Sequence, residues 1–294
     1  MRILMMSPAS ISLETKMMAE ELITSRQNAT VKNVIKLKQK KNRDREGQFV
    51  LEGTKLFMEA EAWNVAITAV FTTPQWLEGA GKAAMEAFKR VKDKRTPVFT
   101  VEASVFEVMS SLRMPEGVLC TAHKFDASEK LFEKKCKKSG KNYPTYVILD
   151  DVQDPGNVGT IIRTADAAGF DGIVCSSKTA DIYNEKVLRG AMGSVFHLPV
   201  LQVCDLEKTV LLLKEQGTRM IGTSLQGKTG LSDSLTAQTS VGVILGNESK
   251  GMSKGMADLC DELYKLPMYG HAESLNVSVA AGILMYDIAR TMHE

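Results

Sequence analysis

The chain has 294 residues, a length typical of two domains of about 150 residues each. Its net charge of +2 hides an asymmetry: residues 1–144 hold 25 Lys and Arg against 17 Asp and Glu, whereas residues 145–294 hold 12 against 18. A basic first half predicts contact with a polyanion. No apolar run reaches the ~18 residues that span a membrane. The five scattered cysteines exclude a disulfide framework and a cysteine zinc site, and favour a cytoplasmic protein.

The chain begins with a Met-rich leader, residues 1–24, for which we predict irregular or helical structure. From residue 24 to residue 46, apolar residues recur at helical spacing, which predicts a short helix. The end of this segment is densely basic, so we expect it to bind nucleic-acid phosphates, with a solvated helix end as the alternative. The candidate cations are Arg26, Lys36, Lys38, Lys40, Lys41, Arg43 and Arg45.

Strands and helices then alternate, which predicts a small α/β domain over residues 25–123. The predicted strands are 49–53, 66–73, 97–101 and 117–122, and the predicted helices are 54–63, 76–90 and 103–111. A polar, Lys-rich segment follows, and we predict that residues 124–143 form a linker.

The second half, residues 144–294, has a clearer pattern of apolar, β-branched runs separated mostly by helices. The predicted strands are 145–151, 172–177, 198–203, 218–224, 241–246 and 262–268. The predicted helices are 157–168, 185–191, 205–216 and 276–292. This pattern favours a doubly wound parallel sheet.

One motif invites a nucleotide-binding interpretation. Residues 222–229, GTSLQGKT, match the P-loop pattern G-x-x-x-x-G-K-[ST] and follow a predicted strand. A P-loop needs a helix directly after its lysine, because the N–H groups of that helix hold the phosphates. Residues 230–234, GLSDS, start a helix poorly in that register. We therefore expect an ordinary loop, and ATP hydrolysis dependent on Lys228 is the alternative.

Other enzyme signatures are absent from the sequence. No G-x-G-x-x-G follows a predicted strand, so a dinucleotide site of the usual kind would lack its phosphate-binding turn. The four histidines lie far apart, with no H-E-x-x-H pattern and no neighbouring cysteine. This spacing predicts neither a metal site nor a catalytic triad.

Three segments of the second half share one design, in which an apolar strand runs into a loop of Gly, Asn, acidic and small polar residues. They are residues 148–170, 243–252 and 265–286. In the first, we predict that Asn157 caps the helix that carries Arg163. In the third, we predict that Ser274 or Asn276 caps the last helix. Together the segments place polar side chains at the carboxyl ends of strands, where open α/β sheets bind ligands.

These segments resemble the motifs of the SpoU (TrmH) family of RNA ribose 2′-O-methyltransferases. The first contains DPGNVGTIIRTADAAG, the second LGNESKGM and the third LPMYGHAESLNVSVAAGI, in the order found in the family. The resemblance covers roughly residues 145–294. More loosely, through SRQNATVKNVIKL and FVLEGTKLFMEA, residues 25–123 resemble the RNA substrate-binding domain often found ahead of it.

The resemblance implies an α/β catalytic domain with a parallel sheet and a carboxyl-terminal trefoil knot, preceded by the small α/β RNA-binding domain. It also implies S-adenosylmethionine as the cofactor, bound by the loops after the last strands. The implied cofactor residues are Thr223, Ser224, Gly246, Leu266, Met268, Leu275 and Asn276. The family commonly has Ile at the position of Leu266, a change that preserves an apolar wall.

The resemblance further implies that Arg163 is the catalytic arginine, and that Asn157, Glu248, Ser274 and Asn276 orient it and the ribose. The methyl group is already activated on the sulfonium, so the protein mainly has to align the 2′-hydroxyl and help with its proton. A guanidinium, with a pKa above about 12, rarely gives up its proton. We therefore expect Arg163 to hold a phosphate and stabilise the developing alkoxide rather than act as a base.

The resemblance also implies a homodimer formed through the catalytic domain, with active sites shared between protomers. The leading domain favours ribosomal RNA as the substrate over transfer RNA. A catalytically lapsed RNA-binding factor of ribosome assembly is a further alternative. Because the catalytic half is acidic, we expect RNA to approach it only at a restricted mouth around Arg163.

Overall fold

The computed structural model describes residues 22–125, 132, 136, 142–231 and 235–293. The chain divides into two compact units, with the division between His123 and Lys124. Most of the predicted leader and most of the predicted linker lie outside the described residues. Within the part of the chain that is described, no helix is long and apolar enough to cross a membrane.

The first unit is a four-stranded sheet with helices. The helices are α1 (Ala29–Lys36), α2 (Lys40–Glu46), α3 (Thr54–Ala62), α4 (Pro74–Gly79), α5 (Lys82–Asp93) and α6 (Ala103–Met109). The strands are β1 (Gln48–Glu52), β2 (Ile67–Thr72), β3 (Val98–Thr100) and β4 (Val118–His123), in the sheet order β1-β4-β2-β3. Strand β4 is antiparallel to β1 and β2, and β3 is parallel to β2.

Two predicted helices of this unit are each divided in the structure. The basic segment forms α1 and α2, separated at Leu37–Gln39, and the helix predicted at 76–90 is α4 and α5. The second break falls at Ala80, which has an extended backbone (φ −65°, ψ 135°) between two glycines. Glycine disfavours a continuous helix, so the helix is interrupted here even though apolar residues continue at helical spacing on both sides of the break.

The second unit is built on a six-stranded parallel sheet. Its strands are β5 (Thr145–Leu149), β6 (Gly172–Ser176), β7 (Val200–Val203), β8 (Arg219–Thr229), β9 (Val241–Leu245) and β10 (Glu262–Lys265). Its helices are α7 (Pro155–Ala167), α8 (Glu185–Ala191), α9 (Ser194–His197), α10 (Leu206–Glu215), α11 (Lys254–Leu259) and α12 (Val277–His293). The sheet order is β10-β8-β9-β5-β6-β7, and every neighbouring pair is parallel. The predicted parallel sheet is confirmed.

The sheet of the second unit is buried on both faces. On one face, Tyr146 and Ile148 of β5 pack with Val210 of α10 and Met256 of α11 in one apolar cluster. The alternate residues of β5 are also fully buried and point to the opposite face, because side chains alternate along a strand. A parallel sheet covered on both faces leaves its carboxyl-terminal edge as the place for a site.

Helix α7, which follows β5, packs against both α8 and α12. The close approach of α7 to α8 depends on Gly159, because a Cβ there would lie 2.6 Å from the carbonyl oxygen of Val187. The α7–α8 contact in turn brings Lys186, at the start of α8, within 3.3 Å of the carboxylate of Asp154.

Candidate active site

The three predicted motifs meet at the carboxyl-terminal edge of the sheet. Asn157, in the first turn of α7, donates from Nδ2 to Oε1 of Glu248 at 3.1 Å. Asn276, directly before α12, donates from Nδ2 to Oδ1 of Asn157 at 2.9 Å. We call these three residues the Asn–Glu network. One side chain, Asn157, thus connects a residue from each of the other two motifs.

The prediction that Asn157 caps α7 is wrong. The helix begins two residues earlier, and Asp154 caps it by accepting hydrogen bonds from the N–H groups of Gly156 (2.7 Å) and Asn157 (3.0 Å). The Asp154 carboxylate has a lowered pKa, chiefly because of the bond from the Asn157 N–H. Because Asp154 caps the helix, the side chain of Asn157 can take part in the Asn–Glu network instead. At the other end of the network, the predicted cap is confirmed, because Asn276 Oδ1 accepts from the N–H of Ser278 at 2.9 Å.

Glu248 is held as a carboxylate by donors from the first motif. In addition to the Asn157 amide, its oxygens accept from the N–H groups of Gln153 (3.1 Å) and Asp154 (2.9 Å). Partial burial raises the pKa of Glu248, but the hydrogen bonds from Asp154, Gln153 and Asn157 outweigh it, so the pKa is lowered. A charged Glu248 therefore fixes the backbone that leads into α7.

The loop after β9 folds back tightly on itself. The N–H and C=O groups of Asn247 and Gly251 bond to each other at 2.9 Å, and the Asn247 side chain donates to the carbonyl of Asp151 at 2.9 Å. Gly246 is required at the start of this turn, because a Cβ there would lie 2.1 Å from the nitrogen of Met252. The buried Asp150 completes the attachment by accepting from the N–H of Ser253 at 2.7 Å.

Arg163 lies apart from the Asn–Glu network. It is exposed on α7, six positions after Asn157, and none of the described hydrogen bonds or ion pairs joins it to Asn157, Glu248 or Asn276. Ser274 is likewise exposed, two positions before Asn276. The structure therefore assembles Asn157, Glu248 and Asn276 within one chain, and does not bring the predicted arginine to them.

Residues 222–229, which match the P-loop pattern, belong to β8, so the prediction of an ordinary loop is wrong. Gly222 pairs with Leu263 of β10, and the next pair is Lys228 with Tyr264, so residues 223–227 bulge out of the ladder. Lys228 and Thr229 sit in a strand, so no helix follows the lysine to present N–H groups to phosphates. This geometry removes the basis for the triphosphatase alternative. In the described chain, no group of three or more His, Cys, Asp or Glu side chains is placed to hold a metal ion.

The bulge presents Thr223 and Ser224 at the edge where the predicted cofactor residues gather. Strands β10, β8 and β9 are neighbours, so the loops that follow or interrupt them share one edge of the sheet. Leu266 and Met268 are half-buried there, Gly246 is buried, and Leu275 is 39% exposed. Apolar side chains suit the adenine ring, and hydroxyls and loop backbone groups suit the ribose and the charged amino-acid end of an S-adenosyl methionine chain. The residues present therefore fit S-adenosylmethionine.

The predicted nucleic-acid cations of the first unit separate into two groups. Arg43 is 3% exposed, and its Nη1 donates to the carbonyls of Leu37 (3.0 Å) and Lys38 (2.7 Å) at the end of α1. Lys38 Nζ donates to the carbonyls of Val108 and Ser110. The prediction that Arg43 contacts RNA is thus wrong, because its guanidinium closes the turn between two helices. Exposed side chains remain at Arg26, Lys36, Lys40, Lys41 and Arg45.

Sequence reasoning missed the contributions of Asp150 and Asp154. The pair Asp154-Pro155 carries a usable signal, since Asp is a favoured cap and Pro a favoured first helical residue. The bond from Ser253 to Asp150 joins residues 103 positions apart, and no local pattern predicts it.

The sequence matches the SpoU rRNA Methylase family over residues 144–286, and an MRM3-like substrate binding domain over residues 28–120. It is 35% identical over 274 residues to the 23S rRNA (guanosine(2553)-2′-O)-methyltransferase RlmP of Bacillus subtilis, covering 90% of this chain and 98% of that protein. The chain belongs to the SpoU family.

Two solved structures extend the comparison. The AdoMet-bound rRNA methyltransferase of Sinorhizobium meliloti is 29% identical, with a TM-score of 0.77, over 92% of this chain and 97% of that one. The SpoU methyltransferase AviRb of Streptomyces viridochromogenes, 23% identical, shares the fold with a TM-score of 0.75 over 90% of this chain and 98% of that one. As a SpoU-family member, the protein is an RNA ribose 2′-O-methyltransferase that uses S-adenosylmethionine.

Proposed function

We propose that the protein methylates a ribose 2′-hydroxyl of 23S ribosomal RNA in the cytoplasm. The observation that carries the catalytic half of this proposal is the Asn–Glu network, which unites Asn157, Glu248 and Asn276 beside the loops that fit the cofactor. The choice of RNA is supported by the likeness to RlmP over nearly its whole length. Residues 25–123 would bind the RNA and residues 144–294 would catalyse the transfer.

The cofactor supplies an electrophilic methyl group on a sulfonium, which is a good leaving group. Asn157 and Asn276 would orient the ribose, and the charged Glu248 keeps the first motif rigid through its bonds to Gln153 and Asp154. Ser274, exposed beside Asn276, would contact the same ribose. Arg163 would hold the adjacent phosphate and stabilise the developing alkoxide while remaining protonated, and the proton of the 2′-hydroxyl would pass to solvent water.

We also propose a homodimer with composite active sites. Helix α12 exposes an apolar stripe at positions i, i+4 and i+7, with Val279, Ile283 and Tyr286 between 40% and 50% exposed. Such a stripe is typical of a helix that packs against a partner. The partner's Arg163 would then complete each site, which explains why Arg163 stands apart from the Asn–Glu network within one chain. Light scattering of Ile283→Asp, expected to be monomeric and inactive, checks the dimer.

A trefoil knot in the second unit is the remaining part of the proposed fold. Strand β9 comes late in the chain but lies between β8 and β5, the first strand of the second unit. In a knotted chain, the loops after β9 and β10 would pass through a region that earlier parts of the chain already enclose. A knotted backbone would hold these loops without covalent links. It would be an exception to the general rule that chains do not thread their own loops.

The proposed reaction is tested with unmodified 23S rRNA transcribed in vitro and S-adenosylmethionine labelled on its methyl group. We expect label on one ribose of the 23S rRNA, resistant to alkaline cleavage at its 3′ side. Transfer RNA from a strain that lacks the gene is the competing substrate. Label on a base contradicts the ribose proposal, and exclusive label on transfer RNA contradicts the proposed substrate.

A further inference from the structure

Tyr269 differs from every other tyrosine of the chain in its exposure. Its side chain is 95% exposed, whereas the other five tyrosines are between 5% and 47% exposed. Tyrosine is a large amphipathic side chain that commonly finds packing partners in a folded protein. A single exposed ring is ordinary on a protein surface, so it is the position of Tyr269, in the loop between Met268 and Asn276, that points to a ligand.

The loop that carries Tyr269 is anchored at both ends beside the active site. At its start, Tyr264 pairs with Lys228 and donates its hydroxyl to Asp287 at 2.7 Å. At its end, Asn276 belongs to the Asn–Glu network. Residues 269–276 are all exposed, so the loop forms an outer rim rather than part of the core.

Tyr269 is far more exposed than the neighbouring residues that are proposed to line the cofactor site. Leu266 and Met268, which are proposed to line the cofactor site, are half-buried. Tyr269 directly follows Met268 yet is almost fully exposed. Its ring is therefore available to whatever approaches the site from solvent, which in the proposed reaction is RNA.

Sequence-specific RNA recognition mostly targets single-stranded nucleotides, whose bases have lost their stacking neighbours. Proteins commonly compensate by stacking such a base on an aromatic ring. We propose that Tyr269 stacks on the base of the nucleotide whose ribose is methylated. This inference rests on the proposed function and adds a positioning residue to it: the stacked base sets the direction in which the 2′-hydroxyl points.

The test compares Tyr269→Leu, which removes the ring, with Tyr269→Phe, which keeps it. Steady-state methylation of the 23S rRNA transcript should show KM for RNA raised about tenfold in Tyr269→Leu and unchanged in Tyr269→Phe. Affinity for S-adenosylmethionine, measured by calorimetry, and the oligomeric state should stay at wild-type values. Leu211→Ala, which removes an exposed apolar side chain from α10, is the matched control and should have wild-type KM.

A substrate change completes a double-mutant cycle. An RNA fragment that contains the methylated position is made with an abasic ribose there, which keeps the 2′-hydroxyl. On this RNA, the kcat/KM of the wild type should fall about tenfold. The kcat/KM of Tyr269→Leu, which is already lowered on the intact RNA, should fall little further. Fully additive losses would overturn the stacking proposal.

The outcomes separate this inference from the proposed function. If the wild type fails to methylate 23S rRNA, the proposed substrate is wrong. If the wild type is active and Tyr269→Leu has wild-type KM, the stacking proposal is wrong while the proposed function stands. Loss of cofactor affinity or of the dimer in Tyr269→Leu would also overturn it, by assigning the ring to the cofactor or to a second copy of the chain.

Discussion

The side-chain amide of Asn276 donates to the side-chain oxygen of Asn157 at 2.9 Å, although the two residues are 119 positions apart. The same Asn157 donates to Glu248, so its amide is oriented by two partners at once. An amide held in this way presents a fixed donor and acceptor pattern to a substrate.

Glu248→Gln should lower kcat about a hundredfold, because an amide nitrogen would face one of the N–H donors of Gln153 or Asp154 and displace the first motif. Steady-state methylation with saturating cofactor measures the effect. Glu215→Gln, an exposed carboxylate on α10, is the control. Wild-type kcat in Glu248→Gln would show that the carboxylate is dispensable for alignment.

Arg163→Ala should lower kcat/KM by at least about a hundredfold, because the developing alkoxide loses its cation. Affinity for S-adenosylmethionine should be unchanged, since Arg163 is exposed on α7 and away from the cofactor loops. Parallel loss of cofactor affinity would instead assign Arg163 to the cofactor site.

Mixing Arg163→Ala with Glu248→Gln tests whether sites are shared between protomers. In a mixed dimer with composite sites, one site contains an intact Glu248 from one protomer and an intact Arg163 from its partner, so activity should return. If each protomer used its own arginine, every site would carry one defect and the mixture would stay inactive.

Gly246→Ala should destabilise the second unit by about 1–3 kcal/mol and abolish cofactor binding, because the added Cβ would lie 2.1 Å from the backbone of Met252. Gly270→Ala is the matched control, since a Cβ at Gly270 meets nothing within 4 Å. Urea unfolding and calorimetry with S-adenosylmethionine check both variants. Equal stability of the two would mean that the loop after β9 relaxes at no cost.

The cations of the basic segment should behave differently from one another. Lys36→Ala and Arg45→Ala, both at exposed positions, should weaken RNA binding and each reduce the slope of log K against log salt by about 1. Arg43→Ala should chiefly lower the free energy of unfolding, because its guanidinium satisfies the carbonyls of Leu37 and Lys38. Filter binding at several salt concentrations and urea unfolding distinguish the two effects. A reduced salt slope for Arg43→Ala without loss of stability would contradict the assignment.

Glu61 gives the first unit a defined acid sensitivity. Its carboxylate is 5% exposed and accepts from Arg90 at 2.7 Å, and this hydrogen bond is the main reason that its pKa is lowered from 4.5. A lowered pKa contributes stability that is complete above pH 4.5 and is lost as the pH falls through the folded value. Glu61→Gln should therefore cost about 1–3 kcal/mol at pH 7 and progressively less as the pH falls below 4.5. Urea unfolding across this range measures it, and a pH-independent cost would exclude the linkage.

The sequence was sufficient to place the buried strands, because burial in a parallel sheet produces apolar runs such as TYVIL. It was not sufficient for the end of β8, which continues to Thr229 beyond its apolar run. It was also sufficient to select Asn157, Glu248 and Asn276, through the resemblance of their segments to a family. The burial of Arg43 was not predictable, since a basic run looks the same whether a cation faces solvent or closes a turn. The bulge at residues 223–227 was equally hidden, because it depends on the register between β8 and β10.

The sheet order also determines when the enzyme first becomes competent during its own synthesis. Strand β9 joins the middle of a sheet whose other central strands precede it in the chain, and Glu248 and Asn276 come later still. A nascent chain that ends before Glu248 lacks the carboxylate that accepts from the N–H groups of Gln153 and Asp154. One that ends before Asn276 leaves Asn157 without the amide that donates to its side-chain oxygen. If these residues act as proposed, methyl transfer requires that Asn276 has already left the ribosome.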